Sequence, residues 1–282
     1  MRVEIGARSD VGRVRNNNED SFRVVAALNL FVLSDGMGGE AGGEVASALA
    51  VESVAAHILE AANNVSAPSF GERQPDLSEK SNRLASAVRL ANRKIHEASR
   101  NDPAHRGMGA TVLAAWLDGQ RLSLVHVGDS RAYLLRSGAL EQLTSDHSLV
   151  AEQVRRGILT PQQADSSAMQ SVLIRALGAH EEVEVDADEH MLLDGDALLL
   201  CSDGLTRMVT DPEIASTLLT HADVQAAADR LVELSNEYGG EDNVTVVVLR
   251  IALDSNGWLS RLRWRSRGPG RPPGAGSPAG GR

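Results

Sequence analysis

The run Leu30-Phe31-Val32-Leu33-Ser34-Asp35-Gly36 decides how this chain is read. A short apolar run closed by a turn signal predicts a buried strand, here one that ends on an acid. The device recurs. Leu198-Leu199-Leu200-Cys201-Ser202 runs into Asp203-Gly204, and Leu124-Val125-His126-Val127-Gly128 runs into Asp129. Glu241-Asp242-Asn243 opens the run Val244 to Val248. Strands that each present an acid at one end can gather those acids at one edge of a core. Gathered, dehydrated carboxylates repel one another and call for a cation. His126 and Cys201 lie inside their runs rather than at the ends, so the expected ligands are oxygens, which favour Mg²⁺ or Mn²⁺.

Working outward, Val3 to Ser9 and Phe22 to Leu33 are expected as strands with a polar loop between them. Glu44 to Asn63 has helical spacing. Asn64 to Asp76, with Pro68, Gly71 and Pro75, is expected as a surface insert. Ser78 should cap a helix that runs to Asn101 on the stripe Leu84, Val88, Ala91, Ile95. Thr111 to Leu117, Arg121 to Val127 and Arg131 to Arg136 predict an antiparallel meander, with Asp118-Gly119 as a hairpin signal. His147 to Gly157 is expected as a helix. Thr160-Pro161 should start a short helix within a flap of about 148–175. Val183 to Asp188 and Ala197 to Cys201 are further strands. Helices open at Asp211-Pro212 and Asp223, and a strand from Asn243 to Ile251 closes the body. Meandering strands between two pairs of helices predict two packed sheets flanked by helices, not a doubly wound parallel sheet.

The chain has 282 residues and a formal net charge of −10. Residues 254–282 hold six arginines against Asp254 alone, a net of +5, so the body carries −15. An acidic body argues against general nucleic-acid binding, because a phosphate backbone would be repelled. The expected division is a domain over 1–253 and a basic, disordered Gly/Pro/Arg-rich tail over 254–282. That tail interleaves Trp258, Leu259, Leu262 and Trp264 with its arginines, a candidate contact for anionic lipid. Cys201 is the single cysteine, which excludes an intrachain disulfide and suits a reducing, cytoplasmic compartment. Cys201 and Arg207 do stand at Cys-x5-Arg spacing, but Cys201 lies inside an apolar run where it is expected to be buried and inert, so a cysteine phosphatase is unsupported. The start, Met1 to Ile5, has no signal-peptide character. The best membrane candidate, Val45 to Ala62, is interrupted by Glu52, His57 and Glu60, so no spanning stretch is expected.

Each acid has a bland reading on its own. Asp35-Gly36 and Asp203-Gly204 suit glycine turns, Asp129 suits a hairpin, and Asp242-Asn243 suits an Asx turn at a strand entry. The loop of Arg15, Glu19 and Asp20 alone reads best as solvated. All of them in one chain are hard to explain as turns.

Taken together, the motifs closely resemble the 2C-type, metal-dependent protein serine/threonine phosphatases, in their bacterial branch. The resemblance spans about Val3 to Ile251. It is carried by Arg15…Asn18-Glu19-Asp20, Asp35-Gly36-Met37-Gly38-Gly39, Met108-Gly109-Ala110-Thr111 and Val127-Gly128-Asp129-Ser130-Arg131. Arg175-Ala176-Leu177-Gly178, Ser202-Asp203-Gly204 and Glu241-Asp242-Asn243-Val244-Thr245 complete it. It implies an α+β fold, a four-layer αββα sandwich of two antiparallel β-sheets flanked by helices. It implies that Asp35 bridges two Mn²⁺ or Mg²⁺ ions. Asp203 and Asp242 would hold the first ion, and Glu19 and the Gly36 carbonyl the second. Asp20 and Asn243 would stand behind the ligands and orient them. Asp129, with Asp203, would serve a third, weaker ion. Arg15 would grip the substrate phosphate with its planar fork.

The implied reaction is hydrolysis of phosphoserine and phosphothreonine by a hydroxide between two ions roughly 3.5–4 Å apart. The implied partners are phosphorylated proteins, among them a serine/threonine kinase and its substrates. A metal-dependent hydrolase of small phosphate esters and an inactive phosphate-sensing module are the alternatives. The first lacks a nucleotide signature, and the full set of acids argues against the second. One departure stands out. Many eukaryotic members carry His after this Asp-Gly as a proposed general acid, and here the position is Met37, which cannot donate a proton.

Overall fold

Leu30 and Val32 face one layer of the molecule and Phe31 faces another, and all three are fully buried. The continuous apolar run is thus a strand covered on both faces. The computed structural model describes residues 1–38, 42–64, 67–165 and 167–253. Gly39 and the tail from Asp254 to Arg282, with its expected disorder and lipid contact, lie outside the described residues.

In chain order, the first strands are β1 (Arg2–Asp10), β2 (Asp20–Val25) and β3 (Leu30–Met37), followed by helices α1 (Gly42–Asn63) and α2 (Glu79–Asn101). Then come β4 (Gly109–Ala110), β5 (Val112–Asp118), β6 (Arg121–Val127), β7 (Arg131–Arg136) and β8 (Ala139–Gln142). Helices α3 (Leu149–Arg155) and α4 (Pro161–Asp165) precede β9 (Asp186–Met191) and β10 (Ala197–Cys201). The chain continues through α5 (Asp203–Thr206), α6 (Asp211–Thr220) and α7 (Val224–Glu237) to β11 (Val244–Ala252).

One sheet has the order β1-β11-β10-β7-β8 and the other β2-β3-β5-β6-β9, with β4 paired to β3. Every one of these pairings is antiparallel. Phe31, Leu113, Leu124, Leu198, Leu200 and Val247 pack between the sheets. Helices α1 and α2 cover the second sheet, with Ala50, Val54, Ile58, Leu84 and Val88 against Leu30 and Val32. Helix α7, with Leu231 and Val232, covers the first sheet over Leu199, Val246 and Val248. The four-layer sandwich follows from this alternation, since each central strand buries both of its faces.

Several expectations need correction. Phe22 to Leu33 is two strands, because a 3₁₀ turn over Ala26–Leu28 ends on Asn29 in the left-handed region at φ 51°. Asparagine tolerates that region, and the chain reverses there. The expected meander breaks after β6. Strand β7 pairs with β10, not β6, so Gly128-Asp129-Ser130 carries the chain from one sheet to the other. The strand expected over Val183 to Asp188 lies at Asp186–Met191 instead, a half-exposed edge. The helix expected over His147 to Gly157 narrows to α3, capped by Ser148. Strands β4 and β8 and the single turn of α5 had no counterpart among the expected elements. By length and mean hydropathy α1 does reach spanning dimensions. Glu52 and Glu60 sit on its outer side while Ala46, Ala50, Val54 and Ile58 pack into the core.

Candidate metal centre

The acids come together where the two sheets share an edge. Asp20 begins β2 and lies directly opposite Asp35 on β3. Like charges in that position destabilise a sheet unless something neutralises them. Asp203 follows β10 at the start of α5, and Asp242-Asn243 leads into β11, the neighbour of β10.

A lattice of short bonds fixes these segments. Asn243 Oδ1 accepts the Glu19 N–H at 2.8 Å, and Asn243 Nδ2 donates to the carbonyls of Val11 and Asn17. The Glu19 carbonyl accepts the Gly36 N–H at 3.1 Å. Asn18 Nδ2 donates to Ser9 Oγ at 2.9 Å. The loop that reads as solvated in isolation is therefore tied to β1, β3 and β11. Gly36 has a steric reason: a Cβ there would overlap the Gly43 carbonyl where α1 begins. At Gly204 a Cβ would overlap the Asn243 carbonyl. Both close approaches need glycine.

Asp129 joins through Thr111. The Thr111 N–H donates to the Asp35 carbonyl at 2.8 Å, its Oγ1 accepts the Asp35 N–H at 2.9 Å, and that Oγ1 lies 2.8 Å from Ser130 Oγ. Asp242 Oδ1 accepts the N–H of Asn243 at 2.9 Å, a bond to the next residue rather than the Asx turn of the bland reading. Its Oδ2 accepts Arg15 Nη2 at 2.8 Å. The Arg15 side chain is 53% exposed, so this pair adds little stability and the guanidinium is free to change partners.

The electrostatics are those of a site short of positive charge. Asp20, Asp129 and Asp203 are 8%, 8% and 9% exposed, so water screens them poorly. Burial, then the charges of Asp20, Asp203, Asp129 and Asp242, push the Asp35 carboxyl well above the usual range. Burial lifts Asp20 to about 7 against hydrogen bonds from Thr245 and Ser202. Burial and then Asp203 lift Asp129 to about 7. Asp203 is raised by burial, opposed by Arg207, and Glu19 is raised by burial. Asp20 Oδ1 and Asp203 Oδ1 are buried with no hydrogen-bond partner. Open, dehydrated carboxylate oxygens in an all-oxygen set fit Mg²⁺ or Mn²⁺. Arg15, Glu19, Asp20, Asp35, Gly36, Asp129, Asp203, Asp242 and Asn243, the candidate site residues from the sequence, lie in or beside this cluster.

His126, His147 and Asp186 form a second group with metal-type donors, all within 4.8 Å of one another. Its donors are already engaged. The Gly128 N–H donates to His147 Nδ1 at 3.0 Å, and His126 Nε2 lies 3.0 Å from the Ser145 carbonyl. Arg175 Nη1 stands 3.0 Å from His147 Nε2 and donates to Asp186 Oδ1. A guanidinium thus holds the cation position there.

Four residues at the site had been given no role from the sequence. Ser202 donates from Oγ to Asp20 Oδ2 at 2.7 Å, and Thr111 and Ser130 form the link to Asp129. Arg207 binds Asp203 Oδ2 through Nη2 and lies 3.5 Å from Asp242 Oδ2 through Nη1. Its spacing of four from Asp203 was the available signal, since such residues share a helix face.

A sandwich of two antiparallel sheets flanked by helices, with a cluster of buried carboxylates at its edge, is the class that fold and site define. The description of the protein phosphatase 2C family matches residues 13–244, and the chain belongs to that family. It is 45% identical over 246 residues to the serine/threonine protein phosphatase PstP of Mycobacterium tuberculosis, covering 87% of this chain but 44% of that protein. It therefore spans less than half the length of this relative. It is 36% identical to the serine/threonine phosphatase stp of Listeria monocytogenes, over 89% of this chain and 96% of that one. A crystal structure of the catalytic domain of PstP in complex with two manganese ions superposes with a TM-score of 0.75 at 41% identity, over 89% of this chain and 99% of that one.

Proposed function

We propose that this chain is a metal-dependent protein serine/threonine phosphatase that hydrolyses phosphoserine and phosphothreonine with two Mn²⁺ or Mg²⁺ ions. The observation that carries the reading is the state of Asp35. Its carboxyl is driven well above the usual range by burial and four neighbouring carboxylates, a penalty that two divalent ions relieve. Family membership supplies the reaction, and the two manganese ions of the PstP catalytic domain support the metal count.

In this reading Asp35 would serve both ions, Asp203 and Asp242 would help to hold one, and Glu19 with the Gly36 carbonyl would help to hold the other. Bound ions supply Lewis-acid activation of water and neutralise charge on the phosphoryl oxygens. The remaining tasks fall to the chain. Asn243 fixes Glu19 through its backbone, and Asp20, anchored by Ser202, orients the ligand oxygens beside it. Arg15 leaves Asp242 and takes two phosphate oxygens with its fork. Asp129 and Asp203 are the pair through which a third ion would be held. Met37 has no proton to give, so the leaving alkoxide takes its proton elsewhere. Residues 1–253 act as the catalytic domain, with about 148–175 as a flap segment.

The partners are phosphorylated proteins. A serine/threonine kinase and its substrates follow by family analogy alone, and a cytoplasmic setting accords with the lone, buried Cys201. The test is turnover of a phosphothreonine peptide against free nucleotides, with and without Mn²⁺. Mn²⁺-dependent peptide turnover is expected, with Asp35→Asn, Asp203→Asn and Asp242→Asn all close to inactive while folded. Preference for nucleotides would favour a small-ester hydrolase. No turnover with retained phosphate binding would favour a sensing module.

A further inference from the structure

We infer that His147 is a positioning residue for Asp129: it pins the Gly128-Asp129 turn in place and fastens both ends of the flap segment to that turn. The inference rests on the phosphatase reading above.

Gly128 meets His147 twice. The Gly128 carbonyl accepts the His147 N–H at 3.0 Å, and the Gly128 N–H donates to His147 Nδ1 at 3.0 Å. Asp146, one residue earlier, takes Arg131 with both carboxylate oxygens, accepting Nη2 on Oδ2 at 2.7 Å and Nε on Oδ1 at 3.0 Å. The crossing between the sheets is thus gripped at Gly128 and at Arg131 by two consecutive residues, with Asp129 between the grips. His147 is buried, so water does not compete for its bonds.

The same residue closes the flap. The Ile174 N–H donates to the His147 carbonyl at 2.9 Å, and the Leu149 N–H donates to the Val172 carbonyl at 2.8 Å. The first and last residues of the segment therefore pair with each other at His147. The ring is aimed as well. With the Gly128 N–H on Nδ1, the ring proton sits on Nε2, which faces Asp186 Oδ2 at 3.2 Å. Arg175, at the end of the flap, donates to the other oxygen of Asp186. His126 stacks on the ring with centroids 4.7 Å apart and fixes its plane. Among the described residues, the hydrogen bonds of His147 reach Gly128, Ile174 and Asp186, not the carboxylates of the metal site. Its effect on the reaction then runs through the place of Asp129.

The experiment is a double-mutant cycle on the full chain with saturating Mn²⁺, reading kcat on a phosphothreonine peptide and on p-nitrophenyl phosphate. His147→Ala, shown to be folded by circular dichroism, should lower peptide kcat by about 10–100-fold, the order expected when a reacting group is misplaced by about 1 Å. Turnover of p-nitrophenyl phosphate should stay close to wild type. His147→Asn should recover most of the loss, because its Oδ1 can accept the Gly128 N–H. In an Asp129→Asn background, His147→Ala should cost nothing further. Losses that multiply would overturn the inference, as would equal losses on both substrates or a His147→Asn enzyme no better than His147→Ala. Should His147→Ala fail to fold, Asp186→Ala on the half-exposed edge strand takes its place in the cycle, with the same non-additivity expected and multiplied losses again overturning the inference. A wild type without Mn²⁺-dependent peptide turnover would remove the phosphatase reading itself, whereas multiplied losses in an active enzyme remove this inference alone.

Discussion

Ser202 Oγ donates a 2.7 Å hydrogen bond to Asp20 Oδ2, and so ties the end of β10 in one sheet to the start of β2 in the other. The same Ser202 Oγ accepts the Thr245 N–H at 2.9 Å, which adds β11 to the joint. Asp20 Oδ1 is left buried and unpartnered, facing a cluster of like charges. The carboxylate cluster therefore sits on a seam between the sheets, with Asp20 held from the far side by Ser202.

Asp20→Asn should weaken Mn²⁺ binding by about 10–100-fold, the usual cost of losing a group that orients metal ligands. The amide can still meet Ser202, so the joint between the sheets survives. The metal-free variant should melt higher than metal-free wild type, because one uncompensated buried charge is gone. Mn²⁺ titration and thermal melts in EDTA read both effects. Unchanged affinity would leave Asp20 a purely structural tie.

Arg15→Lys should raise KM for a phosphopeptide by about tenfold or more, with a smaller fall in kcat. Lysine keeps the charge but loses the planar fork that takes two phosphate oxygens at once. Steady-state kinetics at saturating Mn²⁺ separate the two constants. An unchanged KM would return Arg15 to the role of a surface partner for Asp242.

Metal-free protein should lose stability as pH rises from about 4 to about 7. The sign follows from the raised carboxyls. Asp20 and Asp129 ordinarily titrate near 3.8 and do so at about 7 in the fold. Below the unfolded value both states are protonated, and the contribution is fully present. Between the two values the unfolded chain has released protons that the folded one retains, so rising pH favours unfolding, until the loss is complete above about 7. Saturating Mn²⁺ should flatten or reverse the slope, since ions bind the deprotonated ligands and release protons. Melting temperatures across pH 4–8, with EDTA and with Mn²⁺, give the comparison. Parallel slopes in the two series would mean that bound ions leave the titration of these carboxylates unchanged.

The acids were legible in the sequence because each ends or opens a strand that is apolar on both faces. Leu30 to Leu33, Leu198 to Cys201 and Val244 to Leu249 are fully buried, so burial and sequence pattern coincide. The helix stripe Leu84, Val88, Ala91, Ile95 is likewise wholly buried. Pairing was less legible. Nothing local distinguishes a hairpin at Gly128-Asp129-Ser130 from a crossing between sheets, because the choice depends on which distant strand offers an edge. Strand β9 was expected too early because Asp186–Met191 is polar and half exposed, while the apolar Val183 and Val185 just before it lie outside the strand. Arg207 escaped for a related reason. Its spacing from Asp203 is visible, but a turn of helix at that point is fixed by tertiary packing of Gly204 against Asn243.

Asp129 provides the sharpest test of the leaving-group step. Serine and threonine alkoxides leave poorly and need a proton as the P–O bond breaks, and Met37 cannot provide one. Nitrophenolate is stable as an anion and needs little help. Asp129 is buried in the cluster, holds a carboxyl raised to about 7, and is joined to Asp35 through Ser130 and Thr111. It is therefore able to carry a proton close to neutral pH. Asp129→Asn should slow hydrolysis of a phosphothreonine peptide far more than hydrolysis of p-nitrophenyl phosphate, by a margin of up to about 10²–10⁴-fold, the usual worth of a general acid. Loss of an ion from the Asp35 bridge would depress both substrates alike. The measurement is kcat for each substrate at saturating Mn²⁺, with ion stoichiometry checked on the same sample. Equal losses would take Asp129 out of leaving-group chemistry and leave it a charge that shapes the metal centre.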